Sequence, residues 1–345
     1  MTLISWVVLL SVVVFSAYLV RVLFPTKFFG ESQNHWDKCV TKITPAWNGC
    51  NPIGQICFIL LFSGSYVVAH VAAFPLLQVN GMHQHKTIGL VLASCCLAAF
   101  FLASYSDPGR INDANVAGFM SLHPSDGLLF PDPPATCQTC NHVKPARSKH
   151  CNATKSCVAK YDHWCIWINN SVGFYNIRWF LAFIFSIMNS CAYVAFVCCS
   201  IISIDMDRVG AWDFVWIEHD TGKHVQVKDG WFVAARYIIA AYGPVAGLGL
   251  FCGLSGVIVV IFGAFQLHKF LRGETENERW KIKERQEQGY ALTNNYRPFD
   301  QGWYQNMMEI AFPHHTLASQ LSLSSKRHIN HTLRKTRPSG DLKIY

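Results

Sequence analysis

The sequence predicts an all-α polytopic membrane protein with about five transmembrane helices and a cytosolic cysteine-rich module between the third and the fourth. Of its 345 residues, 51% are hydrophobic and only 14% are charged, whereas soluble domains carry about 25% charged residues. Five stretches reach the length of about 20 apolar residues that a helix needs to cross a bilayer. These stretches are Leu3 to Phe24, Ile53 to Leu77, Thr87 to Tyr105, Trp179 to Ile204 and one within Trp231 to Leu267.

The interiors of the predicted spans contain almost no charged residues. Charges inside a membrane mark ion and proton pathways, so their scarcity argues against a pump, a transporter or a channel. The last apolar run is longer than one span, and Gly243-Pro244 is expected to separate a short interfacial piece from the span proper, Val245 to Leu267. The first run has no preceding basic residue, so we expect an uncleaved anchor rather than a signal peptide.

The distribution of Lys and Arg predicts the orientation, because cytosolic segments carry an excess of both. Residues 107–178 hold seven and the tail after Leu267 holds thirteen, whereas residues 205–230 hold three. We therefore place the 25–52 loop, the 107–178 segment and the tail in the cytosol. The net charge of +8 suits anionic membrane lipid, and nothing in the sequence calls for nucleic acid.

The chain thus divides into four predicted regions. Residues 1–106 hold helices one to three with the cytosolic loop at 25–52, and residues 107–178 form the cysteine-rich module. Residues 179–267 hold helices four and five. Residues 268–345 form a cytosolic tail that is rich in Ser, Lys and Arg from about residue 319 and is expected to be disordered there.

The module carries a metal-ligand spacing. Cys137 and Cys140 form a Cys-x-x-Cys pair, and His150 and Cys157 follow. Structural zinc commonly binds three Cys and one His in a tetrahedron, and clustered cytosolic thiols indicate metal binding or catalysis rather than disulfides. The segment has few apolar residues, so metal binding would supply its folding free energy. A reduced, metal-free surface loop is the alternative.

The run Asp162-His163-Trp164-Cys165 predicts nucleophilic chemistry. A thiol with a pKa of about 8.5 is mostly protonated at neutral pH, so acyl transfer to it needs a neighbouring base and a carboxylate that orients this base. Cys165, His163 and Asp162 supply these three parts. In a second interpretation His163 and Cys165 are zinc ligands, but the four ligands named above already satisfy one ion, which favours a free Cys165.

These runs resemble the DHHC family of protein palmitoyltransferases. The resemblance covers Cys-Gln-Thr-Cys-Asn-His-Val-Lys-Pro-Ala-Arg-Ser-Lys-His-Cys from residue 137 and Asp-His-Trp-Cys-Ile-Trp-Ile-Asn-Asn from residue 162. Three supporting family motifs also have counterparts. Asp107 opens an Asp-Pro-Gly run after the third span, Thr275 opens Thr-Glu-Asn-Glu with the family's second Thr replaced, and Asn306 closes the run from Phe299. Within the family, the match is most similar to the fungal endoplasmic-reticulum member that acylates SNAREs.

The resemblance implies a protein S-acyltransferase in the endoplasmic-reticulum membrane, with its catalytic module facing the cytosol. A fatty acyl group would pass from acyl-CoA, such as palmitoyl-CoA, to Cys165, with His163 as the base and Asp162 orienting it. The thioester would then acylate cysteines of membrane proteins, SNAREs among them. The alternative from another class is a catalytically inactive, zinc-containing membrane adaptor that binds similar partners.

One departure from the family concerns metal. The family holds two zinc ions, and the first site maps onto Cys137, Cys140, His150 and Cys157. The second site maps onto Cys151, Thr154, Trp164 and Ser171, where three of the four ligands are missing. We therefore predict one zinc ion per chain, with the Trp164 side chain filling the vacated volume by packing.

Overall fold

The structure, a computed structural model, describes residues 51–217 and 224–318. The predicted first span, Leu3 to Phe24, nearly all of the 25–52 loop and the tail from residue 319 lie outside the described residues. The described residues divide into two compact units, of which the first holds most of the apolar helices and the second holds the cysteine-rich module. Each unit is described by itself below.

Four helices of the described chain are long and apolar enough to cross a membrane, which confirms the predicted fold class for this part of the protein. The four bounds are Ile53–Val79, Gln84–Tyr105, Ile177–Val209 and Trp231–Leu271. Each of the second to fifth predicted spans lies within one of these helices. The predicted spans were shorter because polar residues near the ends continue the helical hydrogen bonding beyond the apolar stretch.

The span at Ile53–Val79 has three parts. Helix α1, Ile53–Val68, passes into a π-helical turn at Ala69–Ala73 and then into helix α2, Phe74–Val79. Pro75 lies in the first turn of α2, and its missing N–H and its ring exclude regular α-helical bonding to the preceding turn. His70 lies in the widened turn with its ring edge-on to Phe74 at 5.4 Å between centroids, consistent with a packing role.

Three further helices contain the remaining spans. Helix α3 is Gln84–Tyr105, helix α5 is Ile177–Val209 and helix α6 is Trp231–Leu271, while the short helix α4, Val116–Leu122, lies between α3 and α5. The break expected at Gly243-Pro244 is present, because Tyr242, directly before it, has non-helical dihedral angles (φ −122°, ψ 20°), and two helical pieces meet there at a kink within α6. Pro244 lacks an N–H group and its ring clashes with the preceding turn, which kinks a helix.

Glycines bring α5 and α6 close together in the first unit. A Cβ atom on Gly249 would lie 2.9 Å from the Cys198 Cβ atom, and one on Gly263 would lie 2.9 Å from a methyl group of Ile184. Gly256, midway between these glycines, faces Cys191 in the same manner. Small residues permit such close approach in membranes, so Cys191 and Cys198 are packing residues of this interface.

The second unit contains two β-hairpins, the short helix α4 and two helices that follow the last candidate span. Strand β1, Lys149–Cys151, pairs antiparallel with β2, Ser156–Val158, and strand β3, His163–Cys165, pairs antiparallel with β4, Asn170–Val172. Helix α7 is Glu276–Glu287 and helix α8 is Trp303–Ala311. A third hairpin, between β5 at Val215–Ile217 and β6 at His224–Gln226, belongs to the first unit.

Candidate active site and metal centre

Strand β3 orients the predicted catalytic residues. Successive side chains of a strand point to opposite faces, so His163 and Cys165 share one face and Trp164 lies on the other. Trp164 packs against a buried cluster of Cys151, Val158 and Tyr161. Local strand geometry therefore keeps the thiol and the imidazole together while Trp164 holds the strand on the module.

The three residues form a continuous line of contacts. The His163 Nδ1 atom lies 2.8 Å from Oδ2 of Asp162, and the same imidazole is hydrogen-bonded with the Cys165 thiol. Burial disfavours the imidazolium, but the hydrogen bonds to Asp162 and Cys165 outweigh burial and raise the pKa of His163 to about 9. The His163 side chain retains 27% of its exposure, while Cys165 retains 8%, so the imidazole can exchange protons beside a largely buried thiol.

Asp162 is fully buried and has several donors. Lys269 donates to both of its carboxylate oxygens at 2.7 Å, and the backbone N–H of Glu276 donates at 2.7 Å. Burial would raise the pKa of Asp162, but the ammonium of Lys269 and the hydrogen bond to His163 hold it well below its usual range. Asp162 is therefore a carboxylate at neutral pH, with fixed orientation toward His163.

Lys269 is the residue of this site that the sequence analysis missed. Its position near the end of α6 led us to count it among the basic residues of the cytosolic tail, where long Lys side chains commonly extend to water. The structure instead buries it, with 1% exposure. Lys269 and Asp162 are 107 residues apart, and no local pattern marks them as partners.

The active-site hairpin lies at the ends of two apolar helices. Cys165 pairs in register with Asn170, whose side-chain amide donates to the carbonyls of Ala103 and Ser106 at the end of α3. The His163 ring packs edge-on to Phe180 in the first turn of α5, with 5.2 Å between centroids. The predicted nucleophile, Cys165, is therefore held where the chain enters and leaves candidate membrane spans.

The three supporting-motif residues have structural contacts. Asp107 accepts hydrogen bonds from the N–H groups of Gly109 and Arg110 and so closes the turn after α3. Thr275 caps α7 in a capping box with Glu278, which positions the N–H of Glu276 on Asp162. Asn306 donates to the Leu271 carbonyl at 2.8 Å, where Gly273 (φ +65°) has no room for a Cβ beside it.

Two buried ion-pair groups join the module to α7 and α8. Arg147 donates to both carboxylate oxygens of Glu278 at 2.6 and 3.0 Å, and Glu309 of α8 pairs with Lys160 and His123, each at 3.0 Å. Although residues 274–288 are dense in charge, α7 buries Asn277, Glu278 and Ile282. Glu278 is buried there because Arg147 compensates its charge.

Four predicted ligands meet at one point. The ligand atoms of Cys137, Cys140, His150 and Cys157 all lie within 4.8 Å of one another. The His150 Nδ1 atom lies 3.6, 3.3 and 3.9 Å from the three Sγ atoms, in that order. A tetrahedral ion with bonds of about 2.3 Å to S and about 2.0 Å to N places such atoms about 3.6 Å apart. These residues therefore fit a four-coordinate metal ion.

The residues that map onto the second zinc site of the family also lie close together, but they do not supply a complete set of metal ligands. Trp164 pairs in register with Ser171, Trp164 packs against the cluster that contains Cys151, and Thr154 accepts a hydrogen bond from Ser156. Burial opposes ionisation of Cys151, but nearby hydroxyls of Ser171 and Thr154 lower its pKa. Hydroxyl groups and an indole thus occupy the region where a second ion would need sulphur or imidazole ligands.

Comparison with known proteins agrees with this site. The family model described as DHHC palmitoyltransferase matches residues 131–283. The chain is 39% identical to palmitoyltransferase SWF1 of Yarrowia lipolytica over 149 residues, which cover 43% of this chain and 38% of that protein. It is 32% identical to palmitoyltransferase ZDHHC4 of Bos taurus over 188 residues, which cover 54% and 53%.

A second fungal relative, palmitoyltransferase swf1 of Schizosaccharomyces pombe, is 44% identical over 86 residues, covering 25% of this chain and 24% of that protein. The matched segments thus span about a quarter to a half of the length of these relatives. The family-model match, residues 131–283, includes Cys165 and all four residues of the metal cluster.

Proposed function

We propose that the chain is a protein S-acyltransferase of the DHHC palmitoyltransferase family, which the family-model match over residues 131–283 supports, and that its nucleophile is Cys165. The observation that supports this most is the line of contacts from Lys269 through Asp162 and His163 to Cys165. These contacts match the needs of thiol catalysis, in which a carboxylate (Asp162) orients a base (His163) and the base activates a thiol (Cys165).

In the first step the Cys165 thiol transfers its proton to His163, and the thiolate attacks the carbonyl carbon of the acyl-CoA thioester. The bond between this carbon and the CoA sulphur breaks. His163 then returns the proton to the departing CoA thiolate, so the products are acyl-Cys165 and CoA. The pKa of His163, raised to about 9 by its hydrogen bonds to Asp162 and Cys165, favours the imidazolium that this proton transfer forms, so His163 holds the proton until the CoA thiolate leaves.

In the second step a cysteine of the substrate protein attacks acyl-Cys165. His163 accepts the proton of the incoming thiol and delivers it to the Cys165 sulphur as the acyl group leaves. Asp162 stays ionised throughout, since Lys269 and the Glu276 N–H neutralise and orient it. We assign Lys269 the role of a positioning residue that acts on His163 through Asp162.

The metal cluster would hold one zinc ion with Cys137, Cys140, His150 and Cys157 as ligands. The ion would supply a structural cross-link between the Cys-x-x-Cys loop and the β1–β2 hairpin, where His150 and Cys157 are register partners. Tyr161 and Asp162 continue directly from this hairpin, so its rigidity contributes to the position of the catalytic residues.

Substrates and location follow from the placement of the nucleophile and from the fungal relatives. A thiol held at the ends of α3 and α5 is accessible to cysteines that lie close to a membrane surface, so we propose cysteine-containing membrane proteins, SNAREs among them, as acceptors. Two of the relatives are the fungal palmitoyltransferases named SWF1. We propose that this chain lies in the endoplasmic-reticulum membrane with its cysteine-rich module toward the cytosol.

The decisive experiment is labelling of the purified, reconstituted protein with radioactive palmitoyl-CoA. We expect a hydroxylamine-sensitive label on the wild type, its loss in Cys165→Ser, and its retention in Cys199→Ser, a control at an exposed cysteine of α5. A wild type without label, or a Cys165→Ser variant with full label, would overturn the proposal. Partner binding without any label would favour the inactive membrane adaptor.

A further inference from the structure

Helix α8 has its polar side toward the protein and its apolar side outward. Asn306, Glu309 and Ile310 are 1%, 6% and 3% exposed, whereas Trp303 and Tyr304 are 67% and 55% exposed. Apart from Gln305 at the edge of this face, the exposed and half-buried side chains of α8 are all apolar or aromatic, and they belong to Trp303, Tyr304, Met307, Met308 and Ala311. A helix on the surface of a soluble domain has the opposite arrangement.

These five outward positions form one continuous face. At 3.6 residues per turn they fall within an arc of about 140° on the helix. The inward polar groups already have partners, because Asn306 binds the Leu271 carbonyl and Glu309 binds Lys160 and His123. Rotation of α8 to bury its apolar face would break these buried contacts, so the outward face is a stable feature of the fold.

The end of α8 lies where two membrane helices start and stop. The Ala311 carbonyl accepts a hydrogen bond from Arg178 in the first turn of α5 at 3.3 Å. Just beyond α8, the His314 ring stacks on Tyr175 at 4.5 Å between centroids. Tyr175 also lies beside the turn after α3, since a Cβ atom on Gly109, four residues beyond that helix, would be 3.6 Å from its ring. These contacts bring α8 to the level of the membrane boundary.

We propose that the outward face of α8 rests in the cytosolic leaflet, with phospholipid covering Trp303, Tyr304, Met307 and Met308. Trp and Tyr favour the headgroup region, where an aromatic ring is buried and its polar group stays hydrated. An interfacial helix needs an apolar face and polar contacts on the opposite side, and here the protein itself supplies those contacts. This face does not depend on the proposed catalytic chemistry.

The consequence for the site is a link between the bilayer and the catalytic strand. Glu309 of α8 pairs with Lys160, which precedes Asp162 by two residues. Lipid contact on the outward side of α8 would therefore set the depth of strand β3 relative to the bilayer. Such a link would hold Cys165 at a constant depth relative to the acyl chains.

The test uses the full chain in nanodiscs that contain phospholipids brominated near the headgroup. Trp303 is one of 11 tryptophans, so the difference between wild type and Trp303→Phe reports its emission alone. We expect brominated lipid to quench this difference signal by at least half relative to unbrominated lipid. The matched control is Trp280→Phe, which removes a 65% exposed tryptophan from the charged helix α7 and should give a smaller quenched difference.

A tryptophan moved around α8 tests the orientation of the face. In the Trp303→Phe background, Tyr304→Trp should restore the quenching, because residue 304 lies within the apolar arc. Gln305→Trp should not restore it, because this exposed residue lies about 60° outside the arc. Equal quenching at 304 and 305, or an unquenched Trp303, would overturn the proposal. Shielding of Trp303 only in discs that hold two chains would instead assign the face to a second copy.

Discussion

Lys269 and Asp162 form a buried ion pair in which the Nζ atom of Lys269 lies 2.7 Å from both carboxylate oxygens. The two side chains are 1% and 0% exposed. A buried charge that loses its partner is strongly destabilised, so each residue depends on the other for compensation of its charge. His163 depends on Asp162 in turn, which makes this ion pair the foundation of the proposed catalytic line.

Replacement of Lys269 by Met is expected to lower the rate of Cys165 acylation by roughly 10- to 100-fold, since a misplaced base loses much of the gain from general acid–base catalysis. The KM for palmitoyl-CoA should change little, because Lys269 is proposed to act on His163 rather than on the substrate. Single-turnover acylation at several acyl-CoA concentrations measures both quantities, and Lys269→Arg should recover part of the rate.

The matched control is Lys160→Met, which removes a second buried lysine of the described residues. Lys160 is paired with Glu309. This variant should lower stability but leave the shape of the pH–rate profile unchanged, whereas Lys269→Met should alter that shape. If the wild type is active and both variants keep the same profile, the positioning role of Lys269 is wrong while the proposed acyltransferase function stands.

The pH dependence of acylation should follow His163. Its pKa is raised to about 9, above the ordinary value of about 6.5, so the imidazolium is present below pH 9 and is lost as the pH rises through 9. We therefore expect the single-turnover acylation rate to fall at alkaline pH, with the midpoint of this alkaline limb near pH 9. Asp162→Asn removes the carboxylate that favours the imidazolium, so the limb should move toward neutral pH; an unchanged limb would contradict the assignment.

Metal analysis of the purified wild type is expected to give about one zinc ion per chain. Cys157→Ser should lose the metal, since Cys157 lies within the four-residue cluster. Cys151→Ser is a matched variant of a second buried cysteine and should keep one ion, because Cys151 lies outside that cluster. Two ions in the wild type, or metal loss in Cys151→Ser, would show that the second site still binds.

Arg147→Met should destabilise the second unit by about 3–5 kcal/mol, the usual effect of leaving one member of a buried ion pair without its partner. Glu278 would keep a buried charge and α7 would lose its anchor. Hydrogen exchange should report the change as faster exchange across Glu276–Glu287. Arg279→Met, at an exposed position of the same helix, provides the control and should leave this exchange near its wild-type rate.

The sequence predicted those parts of the site that depend on neighbouring residues. Asp162, His163 and Cys165 are contiguous or nearly so, and strand alternation alone brings His163 and Cys165 to one face. The four proposed ligands were found from their spacing. The role of Gly243-Pro244 was predicted only in part, because composition marks a weak point in a helix but does not show whether the helix ends or bends there.

The contacts of distant residues required the tertiary structure. Lys269 has the ordinary appearance of a basic residue at the end of a span, and α8 has the composition of a short amphipathic helix whose two faces could point either way. Arg147 and Glu278 are 131 residues apart. No local periodicity links such pairs, because their proximity depends on how the hairpins, α7 and α8 pack.

The sequence by itself thus determined the apolar helices that the described chain contains, and it supplied the candidates for nucleophile, base and metal ligands. These properties follow from hydrophobic length, charge distribution and close spacing, all of which are local. Only the tertiary structure decided that Lys269 neutralises Asp162 and that α8 turns its apolar face outward. Both depend on which buried charges find partners during packing, since an unpaired charge in the interior is too unfavourable to persist.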